Sequence, residues 1–307
     1  MSLPETQLTA ITQKYIVPKI FDNIFDSNPL LKRILNGGMY KSQNGGVTID
    51  IPLNYAGATA NGWFDGADTL DTTDTDNLTA SKYSWKNVYA GVSITESEEL
   101  KNGGTSGVIK LLSTKTQIAL KTIKDTIGTG LYSDGTDAKS IVGLRDIVAA
   151  DQTVGQISQA TNSWWQAQVD STTTTLSLSA MNSLYEDCSV DSEKPGCAFT
   201  TRTVYNLYYN LLTPQQRFMD DATAKGGFQN LMFNGIPIIS DSHCPTSHLF
   251  FINEQNLMLY YHPERNFYFE PFKKPTNQQV KIGRYIWMGA LTSSNNRLHG
   301  KFSGITA

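Results

Sequence analysis

Between residues 47 and 55 the chain alternates without a fault: Val47, Ile49, Ile51, Leu53 and Tyr55 fall on one side, and Thr48, Asp50, Pro52 and Asn54 on the other. A side-chain period of two marks a strand with one face buried. Pro52 has no amide hydrogen to give to a ladder, which places that strand at a sheet edge. A second strand-like run spans 82–94. Its apolar positions begin as Tyr83, Trp85 and Tyr89 and then shift to Val88, Val92 and Ile94, the change of phase that a bulge or bend produces. Together the two runs predict a long hairpin over 46–97. Between them lies AGATANGWFDGADTLDTTDTDNLTA, far longer than a common hairpin turn. A stretch so rich in Gly, Asp and Thr cannot build a core, so it is either disordered or laid on another molecule. The adjacent Trp63 and Phe64 favour the second reading, because disordered linkers are poor in large aromatics.

Helical spacing is clearest from about Ser106 to Leu131, where Val108, Leu111, Leu112, Ile118, Ala119, Ile123 and Ile127 form a stripe and Lys110, Lys115, Lys121 and Lys124 lie mostly outside it. Such a helix would extend roughly 35–40 Å, and it is expected to end among Gly128 and Gly130. Ahead of the hairpin, Leu8, Ile11, Tyr15 and Ile16 have helical spacing, but Pro18 and Pro29 cut the segment into pieces. Residues 1–45 therefore read as an arm. Beyond the long helix come a short apolar element at 141–148, a polar stretch at 149–175 around Trp164 and Trp165, and short helices at 177–188 and 204–212, the second closed by Pro214. Residues 198–203 read as strand or cap, and strand-like runs follow at 236–240, 249–252, 267–272 and 279–291. Helices and strands mix without regular βαβ alternation, so the fold class is α+β.

The formal net charge of −3 argues against a protein whose task is gripping nucleic acid, which needs an excess of Lys and Arg. No apolar run is long enough to cross a bilayer, and the N-terminus lacks the layout of a secretory signal. Cys188, Cys197 and Cys244 are too few and too irregularly spaced for a disulfide framework, in keeping with a reducing cytoplasm.

Chemistry-bearing motifs are scarce. Neither a glycine-rich phosphate loop nor a nucleophile elbow is present. His243, Cys244 and His248 come nearest to clustered metal ligands, but zinc needs three or four such groups at set spacing, and they read as loop residues. Asp65, Asp68, Asp71, Asp74 and Asp76 lack the order of a calcium loop and read as a solvated surface that keeps the projection soluble. Tyr205, Tyr208 and Tyr209, like Trp164 and Trp165, read as packing or interface residues in place of a stacking platform. Glu98 and Glu99, beside Lys101, read as surface carboxylates without an acid–base role. No catalytic residue, metal site or cofactor is assigned.

The order of the elements, together with IVGLRDIV after the helix, FNGIPIISDSHCP, HLFFINEQNLMLYYHPERNFYFEPF and the ending IGRYIWMGALTSSNNRLHGKFSGI, resembles the major capsid proteins of tailed bacteriophages, the Hong Kong 97-like fold. The resemblance covers nearly the whole chain. It implies an N-terminal arm (1–45), an extended loop (46–97), a peripheral domain with a spine helix (98–150), an axial domain (151–270) and a return to the peripheral domain (271–307). It further implies self-assembly as hexamers and pentamers into an icosahedral shell, built in a bacterial cytoplasm and enclosing double-stranded DNA without binding it specifically. Trp63, Phe64, Tyr83 and Trp85 would touch an adjacent subunit, and scaffolding, portal and decoration proteins would be further partners. No helical scaffolding-like extension precedes the arm, and no cross-linking Lys–Asn pair is assigned. Two other readings stay open: an encapsulin-type nanocompartment shell and a soluble hydrolase with an unrecognised site.

Overall fold

Asn28 accepts a hydrogen bond from the Leu31 amide at 3.2 Å and so caps a helix that begins with proline, α1 (Pro29–Asn36). At the first helical position proline has no hydrogen bond to lose. Pro29 therefore starts a helix where a break was expected, and Leu30, Leu31 and Ile34 of that helix are core residues. The computed structural model describes residues 28–57, 59–73, 76–101, 105–212 and 231–306, with the backbone alone for 105–110 and 124. The expected helical spacing at Leu8, Ile11, Tyr15 and Ile16, the break at Pro18, and Asp74 and Pro214 lie outside the described residues, as do the side chains of Val108, Lys110 and Lys124.

In chain order, α1 is followed by β1 (Tyr40–Ser42), β2 (Thr48–Asn54), β3 (Leu78–Ser84), β4 (Lys86–Thr95), α2 (Glu96–Lys101) and the long helix α3 (Thr105–Leu131). Then come α4 (Leu144–Ile147), β5 (Thr153–Val154), β6 (Ile157–Ser158), β7 (Gln168–Asp170), α5 (Leu178–Asp187), β8 (Cys197–Thr200) and α6 (Arg202–Leu211). The chain closes with β9 (Leu231–Phe233), β10 (Ile236–Ser240), β11 (His248–Ile252), β12 (Leu257–Tyr261), β13 (Tyr268–Lys273), β14 (Val280–Ser293) and β15 (Gly300–Ser303).

Two sheets organise the molecule. The five-stranded sheet is built on β14, whose one edge pairs antiparallel with β4 while β12 and β13 follow one another along the opposite edge; β1 adds to β12 in parallel. The six-stranded sheet has the order β7-β15-β11-β8-β10-β9 and is buried on both faces. Ala198, Leu249 and Phe251 face α5 and α6, and Cys197, Phe199, Phe250 and Ile252 face the core shared with α3 and the other sheet. A strand covered on both faces reads as a continuous apolar run, which explains His-Leu-Phe-Phe-Ile in β11.

Three expectations change here. Residues 29–42 are not a free arm, because α1 packs into the core and β1 extends the five-stranded sheet. The hairpin ends at Trp85: β2 pairs with β3 alone, whereas β4 joins β14 over ten residues. Finally, α3 ends at Leu131, as its spacing predicts, but it runs through Gly128 and Gly130 instead of stopping among them. At Gly128 a Cβ would sit 2.7 Å from Asn28 Nδ2 and 2.8 Å from the His243 ring, so this glycine admits a close neighbour and does not stop the helix.

Candidate assembly surface

The root of the projecting loop is fixed from inside the subunit. Along β2 and β3, in register from Thr48 opposite Ser84 to Asn54 opposite Leu78, Ile49, Leu53 and Tyr83 point into the core. Tyr83 is 2 % exposed; its hydroxyl donates to the Ser293 carbonyl and accepts from the Ser293 amide, each at 3.2 Å. Burial pushes this phenol up to about 12. Tyr83 is thus a core residue of its own subunit, and its expected role at an inter-subunit contact is corrected. Alternation shows which residues share a face, but it cannot say whose core that face meets.

Trp85 is half-buried. Its Nε1 donates to the Gly46 carbonyl at 2.9 Å, and its ring meets His262 edge-on with centroids 6.0 Å apart. The residue marks the corner between the hairpin and the five-stranded sheet. At the neck of the loop, the Tyr55 amide donates to the Asn77 carbonyl at 3.1 Å, the Tyr55 hydroxyl donates to the Asp76 carbonyl, and the Tyr55 ring stacks on Trp164 at 5.2 Å. Trp165, by contrast, is buried and donates to the Val154 carbonyl at 3.1 Å.

Beyond the neck the described loop residues are exposed almost throughout. Trp63 is fully exposed, and Phe64 and Leu70 are also open to solvent. The aspartates serve local turns: Asp68 Oδ2 accepts from the Asp65 amide at 2.9 Å, and Asp71 Oδ1 accepts from the Thr73 hydroxyl and amide, which lowers the Asp71 carboxyl. Among the described residues no three His, Cys, Asp or Glu side chains gather as metal ligands would.

Helix α3 buries Leu112, Thr116, Ala119, Leu120, Ile123, Ile127 and Leu131 and leaves a solvent face. Ile118, counted in the apolar stripe from sequence, is instead 61 % exposed. Near the start of the helix, Glu98 and Glu99 are not free surface carboxylates. Lys115 Nζ donates to Glu98 at 2.7 Å and, with the Thr95 amide and hydroxyl, holds that carboxyl down to about 2. Glu99 is buried against Lys281, with Nζ 3.0 and 3.1 Å from its two oxygens.

The remaining polar candidates are absorbed by structure. Asp241 accepts from the Tyr132 hydroxyl at 3.0 Å and from the His243 amide at 2.9 Å, tying the end of α3 to the segment after β10. The His248 Nδ1 lies 2.7 Å from the Thr246 carbonyl, and Cys244 is buried. Tyr208 is buried with its hydroxyl on the Met232 carbonyl at 2.7 Å, while Tyr209 faces out, so the three tyrosines form no common platform. One Ser–His pair escaped the sequence reading: Ser293 Oγ lies 3.4 Å from His299 Nε2. Because His299 Nδ1 accepts from the Asn253 amide at 3.2 Å, the neutral ring carries its proton on Nε2 and donates toward the serine. Such a ring cannot take the serine's proton, and both residues are buried.

No protein-family model matches the sequence, and no curated protein matches it. Solved structures do match. A chain of the cyanophage A-1(L) capsid asymmetric unit superposes with a TM-score of 0.69 at 17 % identity, covering 91 % of this chain and 93 % of that one. The chain has the Hong Kong 97-like fold. The capsid of a native GTA particle is similar at a TM-score of 0.63 and 9 % identity, covering 88 % and 89 %. The SrpI encapsulin complex of Synechococcus elongatus PCC 7942 follows at 0.57 and 10 %, covering 89 % and 87 %. At these identities the shared property is the fold, preserved while nearly every side chain differs. No helix among the described residues is long and apolar enough to cross a membrane.

Proposed function

We propose that this chain is the major shell subunit of a tailed-phage capsid. It assembles as hexamers and pentamers into an icosahedral shell around double-stranded DNA, in the cytoplasm of a bacterial host, and its role is structural and not catalytic. The observation that carries this reading is the projecting loop: its root is anchored by Tyr55 and Tyr83, while among the described residues Trp63 stands fully exposed and Phe64 largely so. The fold shared with capsid subunits over about nine-tenths of both chains supports it. Within this reading α3, the five-stranded sheet and the closing segment form the peripheral part, and the six-stranded sheet with α5 and α6 forms the axial part. Trp63 and Phe64 make the inter-subunit contact, while Trp85 sets the angle at which the hairpin leaves the sheet. Scaffolding, portal and decoration proteins are the further partners.

A net charge of −3 suits a wall that encloses DNA without holding it, since retention would need a dense Lys/Arg surface. Negative-stain microscopy and mass measurement of the chain expressed with its neighbouring genes test the proposal. Closed particles of megadalton mass are expected, and a persistent monomer under all such conditions overturns it. The likeness to the Synechococcus encapsulin favours a second reading, a cellular nanocompartment. Particles that recruit a peptide-tagged enzyme and package no DNA would select it.

A further inference from the structure

The sequence holds five Asn-Gly pairs, at 36–37, 44–45, 61–62, 102–103 and 234–235. Such a pair carries a latent reaction, because glycine has no Cβ to keep its amide nitrogen away from the asparagine side chain. Asparagine counts among the thermolabile residues. The five pairs are identical in sequence, so any difference in their reactivity comes from the fold. Asn102 and Gly103 lie outside the described residues, and the exposure of Asn61 in the projecting loop depends on what covers that loop. Three pairs remain to be compared.

Two of the three are locked. Asn36 is the last residue of α1, and the Gly37 amide donates to the Arg33 carbonyl at 2.8 Å; an amide held in a helical hydrogen bond is not available as a nucleophile. Asn234 and Gly235 make the two-residue turn between β9 and β10, with φ of 45° and 83° and with Phe233 paired to Ile236. A turn of this type keeps the asparagine in the left-handed region, which holds its side-chain carbonyl carbon off the following amide. The Asn234 Nδ2 also donates to Asn182 Oδ1 at 2.8 Å. Asn44 differs on every count. It lies between β1 and β2, outside helix and strand, and is exposed. Among the described residues nothing hydrogen-bonds to its side chain or to the Gly45 amide. Gly45 has a φ of 75° and open space where a Cβ would stand.

We propose that Asn44 is a self-modifying site, at which the Gly45 amide nitrogen attacks the Asn44 Cγ. The new N–C bond closes a five-membered succinimide; the amide proton passes to solvent, and the side-chain nitrogen takes up a proton and leaves as ammonia. Water then opens the ring at either carbonyl, leaving an aspartyl or a β-linked isoaspartyl residue at position 44. The site lies between two fixed points. On one side the Gln43 amide donates to the Tyr261 carbonyl at 3.1 Å, and on the other the Gly46 carbonyl accepts from Trp85 Nε1 at 2.9 Å. An isoaspartyl linkage lengthens the backbone between them by one carbon and adds a negative charge, at the corner where the hairpin leaves the five-stranded sheet. Each copy thus records its age at that corner, and the product has the chemistry recognised by a carboxyl methyltransferase specific for β-linked aspartyl residues.

The test is ageing of the full folded chain in 18O-labelled water at neutral to mildly alkaline pH. Aliquots are digested with trypsin, and the label is placed by fragment ions within the peptides 34–41, 42–82 and 226–265, which hold Asn36, Asn44 and Asn234. Turnover at Asn44 is expected to run severalfold faster than at Asn36 and Asn234, with isoaspartyl exceeding aspartyl product when counted by an isoaspartyl methyltransferase and labelled S-adenosylmethionine. In urea the three positions are expected to converge. Equal rates at the three positions of the folded chain overturn the proposal, and aspartyl as the sole product overturns the ring-closure route. Gly45→Ala sets a methyl group against the reacting atoms and is expected to slow position 44 severalfold; an unchanged rate likewise overturns the route. Asn44→Gln, which would have to close a six-membered ring, covers the case in which the first variant misfolds: position 44 is expected to fall silent, and label persisting there overturns the proposal. Particle formation plays no part in any arm, so the shell reading and this proposal stand or fall separately.

Discussion

The loop at 55–77 and the six-stranded sheet are the two extremes of this molecule. In the sheet, adjacent side chains of β8 and β11 turn to opposite faces and both faces are covered, so Phe199, Phe250 and Phe251 are wholly enclosed. In the loop, the largest side chain of all, Trp63, touches solvent on every side. Both regions invest in aromatics, but only one recovers the apolar burial within a single chain. The contrast teaches that an aromatic residue marks a contact without saying which molecule provides it.

The comparison is broken most severely from the sheet side. Phe250→Ala removes a ring packed 5.9 Å from Tyr132 and 5.8 Å from His248, and it is expected to cost about 3–5 kcal/mol of subunit stability in chemical denaturation. Next in size is a pH effect from the same region. Burial lowers His299 to about 4 from an ordinary 6.5, so below pH 6.5 the unfolded chain takes up a proton that the folded chain refuses. Stability present above pH 6.5 is therefore lost as pH falls toward 4, by an amount on the order of 3 kcal/mol. Urea midpoints measured across that window are expected to fall less steeply in His299→Gln; identical slopes would show that another group is responsible.

Smaller again is Gly300→Ala. The new Cβ would lie 2.3 Å from Cys188 Sγ, an overpacking expected to cost about 1–3 kcal/mol, read as a lowered denaturation midpoint. The sharpest contrast comes from the smallest effect on folding. Trp63→Ala with Phe64→Ala is expected to change subunit stability by no more than about 0.5 kcal/mol, while particle yield, scored by sedimentation, collapses. A large loss of subunit stability would show that the loop belongs to its own fold after all.

Much of this was legible before any coordinates. The alternation at 47–55, the phase change within 82–94 and the long helix follow from local periodicity, and the strands at 236–240, 249–252 and 279–291 from short apolar runs, signals that survive in any packing. What was not legible depends on partners distant in sequence. Tyr83 is inward because Ser293, 210 residues away, meets its hydroxyl, and Gly128 is small because Asn28 and His243 arrive beside it. The three-residue β1 and four-residue β15 are too short for a period to declare itself, and their strand character comes from Leu259 and Phe250 opposite them. The same holds for Ile118, which the helical stripe assigned inward and the fold turned out. Trp63 and Phe64 could be singled out from residue type alone, whereas the exposure of Tyr89 and Ile118 follows only from the packing of β4 and α3.

Strand β14 has a consequence for how the protein is made. It pairs with β4, β12 and β13 at once, and within seven residues of its end the chain passes through the turn at 296–298 and enters the other sheet as β15. Neither sheet is complete until residues 280–303 have left the ribosome, by which time β4 has waited through the synthesis of the 184 residues that separate it from β14, whereas β12 and β13 have only just emerged. A prematurely terminated copy therefore lacks the strand that joins both halves, and on the shell reading proposed above it has no finished building block to offer beside full-length ones.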